Sequence, residues 1–265
     1  MRKEALAAKD AAESVPELGM VDNVVRAFSE HIARSSVDYT KFQNLQRVYC
    51  QTNLEAQGIH DVRWLSRGEA IQRFLDLLPA AIVVLKDYKK DLYEVVTSFK
   101  FHWLVRFLAD VLWELNQLNL RFQQRQVDVT LVAHLVQQTR MRLKTRYLDR
   151  SPGHTFGSGE KMRLPDFIKA HQKLDKREMK AEGVDTDGNA VSFKFTLHER
   201  QLPGHETAGD VTACLELSLK FIRAVDEELE WRVRDLNLLE GAKLFGLRLR
   251  LWLEYCSSPG PVLLD

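Results

Sequence analysis

Apolar residues recur every three or four positions through most of the chain, so the pattern is helical nearly throughout. The sharpest run covers residues 61–86. There Ile71, Phe74, Leu75, Leu78, Ile82 and Leu85 line one face, and Ser66 followed by Glu69 has the spacing of a capping box. Arg63 and Trp64 stand just ahead of that helix start. Pro79 removes one backbone bond and predicts a kink after Leu78. Residues 4–57 read as three helices. The first holds Ala5 to Ala12 and stops near Pro16; the second is capped by Asp22 and carries Val24, Val25, Phe28 and Ile32. The third carries Tyr39, Phe42, Leu45 and Tyr49 and ends near Gly58.

Residues 92–124 hold the longest helical pattern. Leu104, Leu108, Val111, Leu115, Leu118 and Phe122 form a stripe that Phe101, Trp103, Phe107 and Leu112 widen, which predicts a helix packed on several sides. A further helix spans residues 129–148, with Asp128 as its cap. Beyond Asp149 the character changes. Ser151-Pro-Gly and Gly157-Ser-Gly mark loops, with a short helix around Asp166 to Leu174. Val191, Phe193, Phe195 and Leu197 alternate with polar residues after Asp187-Gly188, the period of a strand and half of a hairpin. From Gly209 a long helix resumes. Leu215, Leu219, Ile222, Leu229, Val233 and Leu236 follow a heptad rhythm broken at Asp226; over only three heptads this reads as a bundle helix before a two-stranded coiled coil, and the alternative is a face through which the chain would meet itself or protein partners. The fold class is all-α: a long antiparallel helix bundle with a loop-rich insertion carrying a short β-hairpin. Four segments follow: a bundle at 1–150, the insertion at 151–207, a completing helix at 208–246, and a tail at 247–265.

Composition narrows the function. The formal net charge of +1 in 265 residues provides no global field toward nucleic acid or an anionic membrane, so any such attraction is local. Cys50, Cys214 and Cys256 are far apart and fit a reducing compartment. No run approaches the roughly 20 apolar residues of a membrane span, and the N-terminus lacks a signal-peptide core. The expectation is an intracellular, nuclear protein that contacts no membrane and takes no cofactor.

Two features carry candidate chemistry. An indole at a helix start beside an arginine can stack on an unpaired base while Arg63 meets a phosphate; the same pair also reads as a core Trp64 beside a surface Arg63. Arg140, Arg142, Lys144, Arg146 and Arg150 concentrate positive charge at one helix end. Because 142, 146 and 150 are four apart, they would share a face along a phosphate backbone, or simply form a solvated helix C-terminus. Other patterns fail. Asp185-x-Asp187-x-Asn189 starts like a calcium loop, but Ala190 takes the turn glycine's place and Thr196 that of the bidentate Glu. His171, His198, His205 and Cys214 are too scattered for a metal site, and no nucleophile has an adjacent base.

Val62-Arg-Trp-Leu-Ser-Arg-Gly-Glu-Ala70 resembles the Arg-Trp motif region of hAT-superfamily transposases and the host proteins derived from them. Phe99-Lys100, Phe107-Leu-Ala-Asp-Val-Leu112, Leu115 to Gln123, and Phe221 to Phe245 resemble the same family in the same order, and Ala5 to Ala11 resembles the stretch after its Cys-x-x-His motif. The resemblance covers residues 5–246, with 153–207 poorly matched. It implies the helical insertion of a ribonuclease-H-like domain, with Trp64 in the position that stacks on a flipped base of the DNA hairpin and Arg63 in the neighbouring DNA contact. It further implies that the two catalytic Asp positions lie upstream of Met1, and residues 247–265 do not resemble the segment carrying the catalytic Glu. The expected function is therefore a catalytically inactive fragment or domesticated derivative that keeps weak DNA binding through Arg63, Trp64 and Arg140 to Arg146. The alternatives are a helical protein-interaction scaffold, or an incomplete gene model of an active transposase.

Overall fold

The computed structural model describes residues 9–50, 54–58, 64–123, 129–172, 178–198 and 210–234. Residues 9–13 are helical and lead through a 3-10 turn at Pro16–Leu18 into α1 (Gly19–Arg34). Asp22 is thus not a cap: it lies in the first turn of α1, and its carboxylate pairs with Arg67 of a later helix. Helix α2 (Ser36–Tyr49) starts at a true cap, with the Ser35 hydroxyl accepting from Asp38 N at 3.2 Å. It ends well before Gly58. Gln46 Oε1 accepts from Leu54 N at 2.7 Å, so the chain has already turned back.

Helix α3 (Trp64–Tyr88) begins at Trp64 and continues through Pro79 without interruption. Ser66 therefore stands inside the helix and cannot be its N-cap. At Gly68 a β-carbon would lie 3.1 Å from Leu112 Cβ, so its absence allows a close approach of the next long helix. The 92–124 pattern is two helices, α4 (Lys90–Val96) and α5 (Phe99–Phe122). The break has a tertiary cause. His198 donates its backbone N–H to Thr97 O and accepts from Phe99 N, which holds Thr97 and Ser98 out of helical geometry. Ser98 then caps α5 by accepting from Phe101 N.

Helix α5 is buried around nearly its whole circumference, as its width of apolar residues predicts. Around it lie α3, α6 (Val129–Leu143), α7 (Leu164–Gln172) and α8 (Asp210–Arg234). Directions follow from the pairs. Gly68 meets Leu112, and Gln72 Nε2 donates to Ala109 O, so α3 and α5 run antiparallel. Phe107 meets Tyr147 while Glu114 meets Arg142, so α5 and α6 do too. Trp103 Nε1 donates to Ser218 Oγ and Phe107 meets Phe221, so α8 runs alongside α5 in the same direction. That is the outcome of an up-and-down alternation.

Residues 144–148 form one π turn that ends α6. Asp128, expected as the cap of this helix, lies outside the described residues, as do His205 and the tail at 247–265. The loop that follows is tied down where Gly157 N donates to Arg146 O at 2.8 Å and Phe156 stacks on Trp103. The insertion's β-element is an antiparallel hairpin of β1 (Glu178–Val184) and β2 (Ala190–Thr196). Gly183 lies so close to the end of α2 that any β-carbon would collide with the Val48 carbonyl, and this contact fixes the hairpin on the bundle. The structure is mostly helical with one short hairpin.

Candidate nucleic-acid interface

A carboxylate in an otherwise apolar stripe has to find a partner, because an isolated buried charge is too costly to keep. Asp110, Glu114 and Asp226 are three such carboxylates, each less than a tenth exposed. Their partners account for most of the basic cluster. Arg140 grips Asp226 with two bonds, Nε to Oδ1 at 2.7 Å and Nη2 to Oδ2 at 3.2 Å, and reaches Glu230 at 2.8 Å. Lys144 Nζ lies 2.9 Å from Asp226 Oδ2. Arg142 donates to Glu114 Oε2 at 3.1 Å, and Arg146 pairs with Glu114 Oε1.

The cluster is thus split. Arg140 and Lys144 turn toward α8, whereas Arg142 and Arg146 turn toward α5. Arg142 and Arg146 share a face, as their spacing predicts, but Arg150 does not extend the row. The helix ends at Leu148, and Arg150 instead helps line a cavity of about 480 Å3 against the outer side of α8, opposite Lys220, Arg223, Glu216 and Glu227. Charge is offset across the network, with four cations facing Glu114, Asp226 and Glu230. Exposure separates their roles. Arg140 and Arg146 side chains are 9% and 17% exposed, whereas Arg142 and Lys144 reach 32% and 40% and remain accessible to a phosphate. Burial disfavours the ionised Asp226, but the bonds from Arg140 and Lys144 outweigh it and hold its carboxyl below the ordinary carboxylate range. The Asp226 bond likewise strengthens the Arg140 cation.

Asp110 does different work. Its oxygens accept from Arg163 N at 2.9 and 3.0 Å and from Leu164 N at 2.9 Å, so a residue of α5 caps the start of α7. Burial pushes its pKa up to about 6 despite those bonds. Nearby, Arg106 lies over the Phe167 ring at 4.7 Å and donates to His102 O at 2.9 Å. Burial, with the charge of Arg163 beside it, brings the guanidinium down to about 10.

A pH dependence follows from Asp110. The folded chain holds a proton on it between about pH 4 and pH 6, where the unfolded chain has released it. Stability from this group therefore falls as pH rises through that window, by about 3 kcal/mol. Asp110→Asn keeps an oxygen for the amides but cannot titrate. Urea unfolding at pH 4 and pH 6.5 should show the wild type losing stability relative to Asp110→Asn; parallel behaviour of the two would disprove the assignment.

Trp64 is already helical, the first described residue of α3 rather than a residue ahead of it, and its neighbour Arg63 lies outside the described residues. The calcium-like stretch is a hairpin turn: Asp185 Oδ1 accepts from Asp187 N at 3.0 Å and Asn189 N at 2.8 Å. His198 serves the Thr97–Ser98 break, and Cys214 is buried in α8. The heptad stripe of α8 is occupied from within in part: Leu215 and Leu219 are half-buried, and Leu236 lies outside the described residues. Ile222 and Leu229 are buried in the core, and Asp226 faces α6. Reading Asp226 as a mere interruption missed this; an acid inside an apolar stripe was the available signal.

Residues 3–147 match the family described as the FAM200/GTF2IRD2 helical domain. The chain belongs to that family. The FAM200/GTF2IRD2 helical domain is related to domains derived from hAT transposases, so a transposase-derived helical domain is the coarse identity of this bundle. Its matched region takes in α1 to α6, with Trp64 and the four paired cations of α6 and its π turn. No curated protein and no solved structure matches the chain. No helix among the described residues is long and apolar enough to cross a membrane.

Proposed function

We propose that this chain is a non-catalytic module of transposase descent that works by binding. The observation that carries the reading is the use made of its buried acids. Asp110 is bonded to the amides of α7, Glu114 to two arginines, and Asp226 to Arg140 and Lys144, so each holds helices together. The proposed ligand is single-stranded or hairpin DNA. Trp64 would supply the stacking surface with Arg63 beside it, and Arg142 and Lys144 would offer the accessible charge of the cluster. Location in the nucleus belongs to the same proposal.

Stacking of one base on an aromatic ring is worth about 1–3 kcal/mol, so Trp64→Ala should weaken hairpin DNA binding by about 5- to 150-fold. Arg142→Gln should lower the salt dependence of binding by roughly one phosphate contact. Fluorescence anisotropy with a labelled hairpin measures both. If the wild type and Trp64→Ala bind equally, the nucleic-acid reading fails and the module's ligand is protein. That second reading has its own support, since the charges of α6 are largely offset within the bundle.

A further inference from the structure

Basic residues that have found no carboxylate gather on one cavity. Among the described residues Arg150, Lys220 and Arg223 form no ion pair, and all three line the cavity of about 480 Å3 on the outer side of α8. They reach it from two distant parts of the chain, Arg150 from the loop after the π turn and the other two from the middle of α8. Glu216 and Glu227 share the wall. Glu216 already has a partner of its own, so at most Glu227 is left to offset three cations. We propose that this cavity binds a small organic phosphomonoester.

Charge selects the ligand's head. A phosphomonoester carries about −1.5 to −2 at neutral pH and presents three strong acceptor oxygens. Arginine meets such a group with two parallel bonds and lysine with a point charge. The order of residues along α8 selects a single phosphoryl group over a phosphodiester chain. Lys220 and Arg223 lie one turn apart at the centre, and Glu216 and Glu227 stand about 6 Å beyond them at the two ends. A nucleic-acid strand repeats its charge about every 3.4 Å of duplex axis, so a strand laid along α8 would press a phosphate against one of the acids. Size selects the rest of the molecule. The cavity falls in the range of small-molecule sites, about 300–1,000 Å3, and is larger than a bare phosphate fills. Half-buried Leu219 and Ala224 give an organic body an apolar wall. The site is separate from Trp64 and from the cations of α6, and it stands whether or not the module binds DNA.

Isothermal titration calorimetry of the full chain with phenyl phosphate and with inorganic phosphate tests the site. Phenyl phosphate should bind in the millimolar range or tighter, and at least about fivefold more tightly than inorganic phosphate. Lys220→Gln and Arg223→Gln should each weaken phenyl phosphate at least about tenfold. Glu227→Gln should strengthen it about two- to fivefold, because an opposing charge is removed. All three side chains are exposed, so helical content and Tm should stay at the wild-type values. Hairpin DNA without a terminal phosphate should leave bound phenyl phosphate in place. A wild type that binds no phenyl phosphate in the millimolar range overturns the proposal, as does an affinity indifferent to Lys220→Gln and Arg223→Gln or lowered by Glu227→Gln. Equal affinity for the two ligands removes the organic body and overturns it too. Displacement by the hairpin would set the cavity on the path of DNA and overturn it equally.

Discussion

Asp226→Ala is expected to destabilise the folded chain by about 3–5 kcal/mol, the cost of leaving a buried charge without its partner. Arg140 would keep Glu230, whose side chain is 57% exposed, and a 3.3 Å bond to the neutral Gln137 Oε1, and Lys144 would lose its ion pair with α8. The two bonds from Arg140 to Asp226 are what fix α8 against α6, so loss of the acid should loosen that seam first. A control separates the pair's net worth from the penalty of breaking it. Arg140→Leu with Asp226→Leu removes both charges together and should recover most of the loss. Denaturant unfolding of the single and double variants decides the matter. An Asp226→Ala protein within about 1 kcal/mol of wild type would mean that the network is a surface feature of little consequence.

Phe107→Ala is the second large effect, about 3–5 kcal/mol with a fall in Tm on the order of 10 °C. Phe107 is fully buried, and its ring meets Tyr147 at 5.5 Å and Phe221 at 5.8 Å, both edge-on. One side chain thereby joins α5, the π turn and α8, three elements that are distant in sequence. Edge-to-face pairs add about 0.5–1.5 kcal/mol each beyond the area they bury. Phe107→Leu, which retains most of the volume, should lose less than half as much. Thermal unfolding followed by circular dichroism checks both; equal Tm values for Phe107→Ala and wild type would show that the site can collapse around the gap.

Some features were readable from local sequence because their causes are local. The strand period of Val191 to Leu197 and the turn residues ahead of it place the hairpin correctly, and the breadth of apolar residues on α5 foretells a helix surrounded by others. What the sequence reading misplaced or did not foresee has another origin. Asp22 and Ser66 look like caps by residue type and spacing, yet each lies within a helix. Thr97 and Ser98 interrupt a continuous periodic pattern because His198, a hundred positions away, bonds to the backbone on both sides of them. Asp110 caps a helix it does not belong to. No window of neighbouring residues contains those partners.

The presence of the main helices, their apolar faces and the mostly helical class were determined by the sequence alone, since a 3.6-residue repeat in apolar residues defines both a helix and its buried side. The location of charge was decided only by tertiary structure. Arg140, Arg142, Lys144 and Arg146 form one basic cluster along the chain, but the carboxylates that divide and offset them come from α5 and α8. The reason is physical: ion pairing depends on distance in space, and a buried acid takes whichever cation the packing of helices brings within reach.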